Sequence, residues 1–178
     1  MQTQALLDGG SNATLIEQDL ARERGLSGPQ SKLVLGGADM DDVVDSFKLK
    51  DLSISAVGRK RTKYIIPKVH TIPRMNYRTY SVDWTKENLR FDHLKDLPLR
   101  AVNASDIKLV VGIDAYILQA SLERRLGHLG TPIAVRTRLG WVAFSHLPGS
   151  EEEKIHVCRM DAELQTQNDA DRSQQLRS

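Results

Sequence analysis

The sequence predicts a mainly β domain with short helices, and three observations carry that reading. From residue 1 to 145, short apolar runs alternate with Gly, Pro and Asp punctuation, the texture of a compact β-rich domain. Lys32-Leu33-Val34-Leu35 runs into Gly36-Gly37-Ala38-Asp39, which is a hairpin signal. Leu52-Ser53-Ile54-Ser55-Ala56-Val57 alternates apolar and polar residues, as a half-buried strand does.

The elements follow in order. Ala5-Leu6-Leu7 reads as a short buried strand entering the turn Asp8-Gly9-Gly10-Ser11. Thr14-Leu15-Ile16-Glu17 has the spacing of a capping box. The helix it predicts carries Leu15, Ile16 and Leu20 inward and stops at Gly25. Residues 32–35 form a strand, and Val43 to Leu49 is its return. Tyr64-Ile65-Ile66 is a further strand, with Pro67 marking an edge or an end. Residues of about 70–106 read as a long insertion, with one helix between Trp84 and Leu94. Ile107 to Val111 is a short strand, apolar except for Lys108, ending at Gly112-Ile113-Asp114, and a helix over about Ala115 to Arg125 follows. Pro132-Ile133-Ala134-Val135 and Leu139-Gly140-Trp141-Val142-Ala143-Phe144 supply the last strands. The domain so defined covers residues 1–147. Residues 148–178 are polar and rich in Gln, Asp and Glu, a linker or a disordered tail.

Composition bounds the function. At roughly 150 residues per domain, 178 residues make one domain and a tail. Forty per cent hydrophobic residues can build a modest core. No apolar run approaches the roughly 18 residues of a membrane span, and the start has no secretory pattern. The single cysteine, Cys158, leaves no internal disulfide and no cysteine-based zinc site. A reducing, cytoplasmic setting is the simple expectation. The net charge of +2 does not suggest nucleic acid as a main ligand.

The sharpest chemical feature is the carboxylate of Asp8, delivered by an apolar strand into a turn with two glycines. Glycine permits positive φ and close backbone approach. A carboxylate at the end of a buried strand must be paired, hydrogen-bonded or protonated. On these residues alone two readings stand: a turn aspartate accepting bonds from the next residues, or a reactive carboxyl.

A resemblance separates them. Ala5-Leu6-Leu7-Asp8-Gly9-Gly10-Ser11-Asn12-Ala13-Thr14-Leu15-Ile16 resembles the active-site strand of retropepsin-like aspartic proteases, Asp-[Ser/Thr]-Gly-[Ala/Ser]-x-x-[Ser/Thr]-apolar-apolar. Ile107-Lys108-Leu109-Val110-Val111-Gly112-Ile113-Asp114 resembles that family's second hallmark, an apolar strand, Gly, then Asp or Asn, then a helix. Pro132-Ile133-Ala134-Val135-Arg136-Thr137-Arg138-Leu139-Gly140-Trp141 is similar to the end of the protease region in Pao/BEL-type retrotransposon polyproteins. The resemblance spans about residues 4–145.

It implies a small closed barrel of the acid-protease type with a flap hairpin. It implies a homodimeric aspartic endopeptidase that cuts an extended polyprotein segment, needs no metal or other cofactor, and works in the cytoplasm or in virus-like particles. Asp8 is then the catalytic carboxylate. Gly9, Gly10 and Ser11 shape its turn, Gly112 and Asp114 are the structural motif, and Leu35, Gly36, Gly37 and Ala38 form the flap over the substrate. The flap residues also read as an ordinary hairpin turn.

Three departures from the family pattern stand out. Gly9 replaces a Ser or Thr whose hydroxyl bonds across the dimer. Only seven residues precede Asp8, which at about 3.3 Å per residue supply one strand, so the family's outermost N-terminal strand is missing. Ile113 stands where viral relatives carry Arg.

Other features weigh less. His70, His93, His128, His146 and His156 have no metal-ligand spacing. Arg59-Lys60-Arg61-Thr62-Lys63 is a basic cluster in a loop between strands. Trp141 reads as core or dimer packing. Gly36-Gly37 lacks the Lys and Ser/Thr of a phosphate-binding loop, and no G-x-S-x-G occurs. Two other functions stay open: a catalytically inactive retroelement-derived dimerisation or peptide-binding module, and a nucleic-acid-associated domain using residues 59–63.

Overall fold

The structure is a computed structural model and describes residues 3–36, 41–59, 61–75 and 81–144. The expectations for Gly37, for Ala38 and for residues 148–178 lie outside the described residues. The strands are β1 (Gln4–Leu7), β2 (Leu15–Glu17), β3 (Gln30–Gly36), β4 (Asp41–Ile54), β5 (Tyr64–Ile72), β6 (Ile107–Val111), β7 (Glu123–Arg125), β8 (Ile133–Thr137) and β9 (Gly140–Phe144). The helices are α1 (Gln18–Glu23), α2 (Trp84–Glu87) and α3 (Tyr116–Gln119), with short 3-10 turns at Asn88–Arg90, Ala104–Asp106 and Ile113–Ala115. The chain is mainly β with short helices, as the sequence predicts.

Six strands form one mixed sheet in the order β1-β6-β2-β5-β4-β3, and β7-β8-β9 form a second. Among the described residues no barrel closes, because β1 and β3 are the two edges of the larger sheet. β1 and β2 are consecutive in the chain but do not pair. β6 lies between them, parallel to β1 and antiparallel to β2. This interior position explains the apolar run at 107–111. Val110 and Val111 are fully buried, and each such side chain stabilises the fold by about 1.5–3 kcal/mol. The main core joins Ile16, Leu20, Leu49, Ile66, Val69, Leu109, Val111 and Leu118.

Several expectations are corrected. Leu15–Glu17 is a strand, and the helix starts only at Gln18. Leu15 and Ile16 are both buried between two neighbouring strands, so no capping box forms and Glu17 caps α1 without a side-chain bond. The end is as predicted: Leu20 and Ala21 are buried and Gly25 follows with φ 63°. Val43–Leu49 and the run from Leu52 are one strand, β4. Pro67 lies inside β5, an interior strand. Its missing N–H faces Asp51, where the ladder skips and the backbone turns left-handed at φ 54°. Core-facing residues step by three across this point, from Leu49 to Leu52 and from Val69 to Ile66, where an ideal strand steps by two.

The segment read as a long insertion is partly built into the fold. β5 runs on to Ile72. Trp84, Leu94, Leu97 and Leu99 bury themselves with Ala134 of β8, and Trp141 packs against them half-buried. The helix expected after Trp84 is a single turn followed by a 3-10 turn. The helix expected to Arg125 ends at Gln119, where Ala120 becomes extended at ψ 130°. The chain then pairs with β8 instead, with the Glu123 carboxylate accepting from Arg136 at 2.9 Å.

Candidate active site

Strand β1 ends beside the end of β6. The Asp8 N–H donates to the Val111 carbonyl at 3.0 Å, which extends the parallel pairing by one residue. The chain then turns. The Gly10 N–H donates to Asp8 Oδ1 at 2.9 Å and the Ser11 N–H donates to the Asp8 carbonyl at 3.3 Å. Asp8 is half-buried, and Gly9 and Gly10 are exposed. The carboxylate is thus fixed at the sheet end by one backbone donor and remains open to solvent. Both residue-level readings of Asp8 meet here: it forms the turn bond, and its second oxygen is available for other chemistry.

Gly9 does not use a left-handed backbone, and a Cβ placed on it would meet nothing nearer than Gln119 Oε1 at 4.0 Å. The expectation that the turn needs glycine there is corrected: the position has room for a side chain. Gly112 is different. A Cβ on it would lie 2.5 Å from the Ala13 carbonyl oxygen and 2.9 Å from that of Ser11. Only glycine allows the end of β6 to lie this close to the loop after Asp8. Ser11 serves both partners, with its hydroxyl donating to the Ala13 carbonyl at 2.8 Å and its carbonyl accepting from the Ile113 N–H at 2.8 Å.

Thr14 and Asp114 lock this junction. The Thr14 N–H donates to Asp114 Oδ2 at 3.0 Å, and its hydroxyl donates to Oδ1 at 2.7 Å. The same hydroxyl accepts from the Gly112 N–H at 3.2 Å. Thr14 is completely buried. Its polar atoms must therefore be satisfied internally, and all are. Asp114 thus holds the loop, with both carboxylate oxygens accepting from Thr14.

Gln119 was not marked by any sequence pattern. Its amide nitrogen donates to the carbonyls of Val111 and Gly112, both at 2.8 Å, and its oxygen faces Gly9. It ties α3 to the end of β6. A lone Gln closing a short helix carries no spacing signal that could have revealed this.

The hairpin predicted as the flap is formed by β3 and β4, with Gly36 opposite Asp41 at its described end. Leu35 is half-buried and packs with Leu33 and Val44 into the cluster that holds Leu6, Ala13, Leu15 and Val110. The hairpin therefore packs on the same buried cluster to which β1 contributes Leu6. Gly36 is exposed.

The described histidines, His70, His93 and His128, form no group that could hold a metal ion. His93 Nε2 meets the Pro132 carbonyl at 2.8 Å. His70 is buried in β5, and its Nδ1 has no hydrogen-bond partner. Burial first, then Lys68 and Lys48, lower its pKa from 6.5, and Asp114 opposes them. Among the described residues, no three His, Cys, Asp or Glu side chains are grouped to hold a metal ion. Among them too, no helix is long and apolar enough to cross a membrane. No family model matches the chain, and neither does any curated protein or solved structure compared with it.

Proposed function

We propose that this chain is an aspartic endopeptidase of the retropepsin-like, Pao/BEL retrotransposon type, acting as a homodimer on extended polyprotein segments. The observation that supports it most is the setting of Asp8. A carboxylate ends β1, its loop is bound through Thr14 to Gly112 and Asp114, and β6 separates the two strands the loop joins. Both sequence hallmarks thus converge on one loop. An acid-protease barrel, completed by a second copy, is the finer fold reading that belongs to this proposal.

The chemistry follows from charge repulsion. One chain supplies one Asp8, so two chains face their carboxyls across a two-fold axis. Adjacent like charges do not both ionise at modest cost, and the pair shares a proton, as is known for aspartic proteases. It titrates as a unit. The ionised carboxyl removes a proton from the water between the two. The neutral one donates to the scissile carbonyl as that water attacks. The β3–β4 hairpin would close over the peptide and exclude solvent, and the peptide would add main-chain bonds as a strand does. The proposed setting is the cytoplasm or a virus-like particle.

Gly9 favours a second reading, the inactive dimerisation or peptide-binding module. Two hydroxyl bonds lost per dimer, at roughly 1 kcal/mol each, weaken association by roughly ten- to thirtyfold. One experiment separates the two. The full chain is incubated with a mixed peptide library at acid and neutral pH, with Asp8→Asn, Gly9→Ser and a pepstatin-like inhibitor alongside, and sedimentation is run in parallel. The protease reading expects cleavage that is inhibited, is abolished by Asp8→Asn, and reaches half-maximum at lower protein concentration in Gly9→Ser. Cleavage that survives Asp8→Asn refutes it. Peptide retention without cleavage in both the native and Gly9→Ser chains establishes the module.

A further inference from the structure

Charge is unevenly distributed along this chain. Residues 48–68 contain seven Lys or Arg and one Asp. The whole chain has 25 basic and 23 acidic residues, so the remainder is net acidic. The fold turns this local excess into a surface. Lys50 of β4 and Lys68 of β5 are direct register partners, and Lys48 lies one step along the same face. All three are exposed, on the side of the sheet opposite buried Leu49 and Val69. The ladder then leads through Ile54 and Tyr64 to the loop with Arg59, Arg61 and Lys63, also exposed.

Two facts mark this surface as unsatisfied. Among the described residues none of these six cations is in an ion pair, whereas seven other Lys and Arg side chains are. Like charges placed directly opposite on neighbouring strands destabilise a sheet, and Lys50 with Lys68 is such a pair. An anion laid between them would remove that cost. The arrangement is also linear. Residues two apart on a strand are separated by about 6.6 Å, and several such steps, with exposed Ser53 opposite Ile65 between them, separate the Lys50–Lys68 pair from the loop cations. That shape suits a chain of regularly spaced anions rather than one small ion.

We propose that the outer face of β4 and β5, with Lys48, Lys50, Lys68, Arg59, Arg61 and Lys63, binds the phosphate backbone of a single-stranded nucleic acid without reading its sequence. The face offers cations for the backbone, and the nearby Tyr64 packs on the core side of the sheet, so stacking contributes little. Affinity therefore comes from counterion release and is salt-dependent, with a Kd of about 10⁻⁴–10⁻⁶ M at physiological salt. The near-neutral total charge conceals this face because the acidic residues lie elsewhere in the chain.

The test is fluorescence anisotropy of the full chain with a 20-nucleotide oligouridylate and, separately, an oligothymidylate, between 50 and 300 mM salt. For four to six contacts the log–log slope is about −3 to −4. Lys50→Gln with Lys68→Gln reduces the slope by about 1.4 and weakens binding at 0.1 M salt by about 25-fold. The same double variant melts no lower than the native chain, because it removes a repulsive pair. Lys86→Gln with Lys95→Gln, an equal charge change elsewhere, leaves the slope unchanged. The proposal is overturned by no binding at 50 mM salt, by an equal loss in the control pair, or by capture on phosphatidylserine vesicles without oligonucleotide binding. Similar affinity for RNA and DNA supports backbone recognition, and strong dependence on base sequence refutes it.

Discussion

Replacing Thr14 by Val tests how the candidate site is held. The two side chains have nearly the same shape, so packing is kept while the hydroxyl is lost. That hydroxyl donates to Asp114 Oδ1 at 2.7 Å and accepts from the Gly112 N–H at 3.2 Å. A hydrogen bond to a charged group contributes about 1.5–3 kcal/mol, and a buried N–H left without a partner costs about 1–3 kcal/mol. Thr14 and Gly112 are buried, so no water takes over the Gly112 N–H, whereas exposed Asp114 can turn its Oδ1 to solvent. The Thr14 N–H still holds Asp114 Oδ2, which keeps the loss below a complete rupture. The expected destabilisation is about 3–5 kcal/mol, a large share of the roughly 5–15 kcal/mol that holds a domain folded. Urea unfolding followed by tryptophan fluorescence measures it. Hydrogen exchange at the Gly112 amide localises it, with exchange faster in the variant than global unfolding alone explains. Thr14→Ser keeps the hydroxyl and loses one methyl, for about 1 kcal/mol. The reasoning fails if Thr14→Val costs less than 1 kcal/mol, or if Thr14→Ser costs as much as Thr14→Val.

Two further outcomes are expected. Gly112→Ala drives a methyl to 2.5 Å from the Ala13 carbonyl oxygen. The loop after Asp8 must then move, with a loss of about 3 kcal/mol or more, and a melting temperature within 2 °C of native would contradict the close approach. For His70, burial and then Lys68 and Lys48 lower the pKa from 6.5. The folded chain therefore takes up this proton less readily than the unfolded chain. This contribution to stability is intact above pH 6.5 and is lost as pH falls through the lowered value. Urea midpoints between pH 8 and 5 should decline more steeply in the native chain than in His70→Leu, and parallel profiles would assign the decline to other groups.

Much of the fold was legible in the sequence because the relevant signals were local. The 107–111 run is apolar except for Lys108, which reaches Glu17, because β6 has neighbours on both sides. The run Lys32-Leu33-Val34-Leu35 and the glycines after it marked the hairpin. Asp8, Gly112 and Asp114 could be picked out by motif, and all three meet at one junction. What failed was set by distant contacts. Thr14 to Glu17 has the local spacing of a helix start, but Asp114, a hundred positions away, holds Thr14 and two strands bury Leu15 and Ile16. The helix expected to Arg125 gave way to pairing with β8. Pro67 argued against an interior strand because a sequence does not show that Asp51 will turn left-handed opposite it. Gln119 carried no pattern at all.

The insertion of β6 between β1 and β2 has a consequence for timing. A nascent chain that has emerged only as far as β5 possesses Asp8 and its loop with one outside tie, the His70 N–H on the Thr14 carbonyl; the bonds that fix Asp8, Ser11 and the Thr14 hydroxyl come from Val111, Gly112, Ile113 and Asp114. Contacts of such long sequence separation form late and slowly. The carboxylate therefore acquires its full setting only after the ribosome has delivered the second half of the domain.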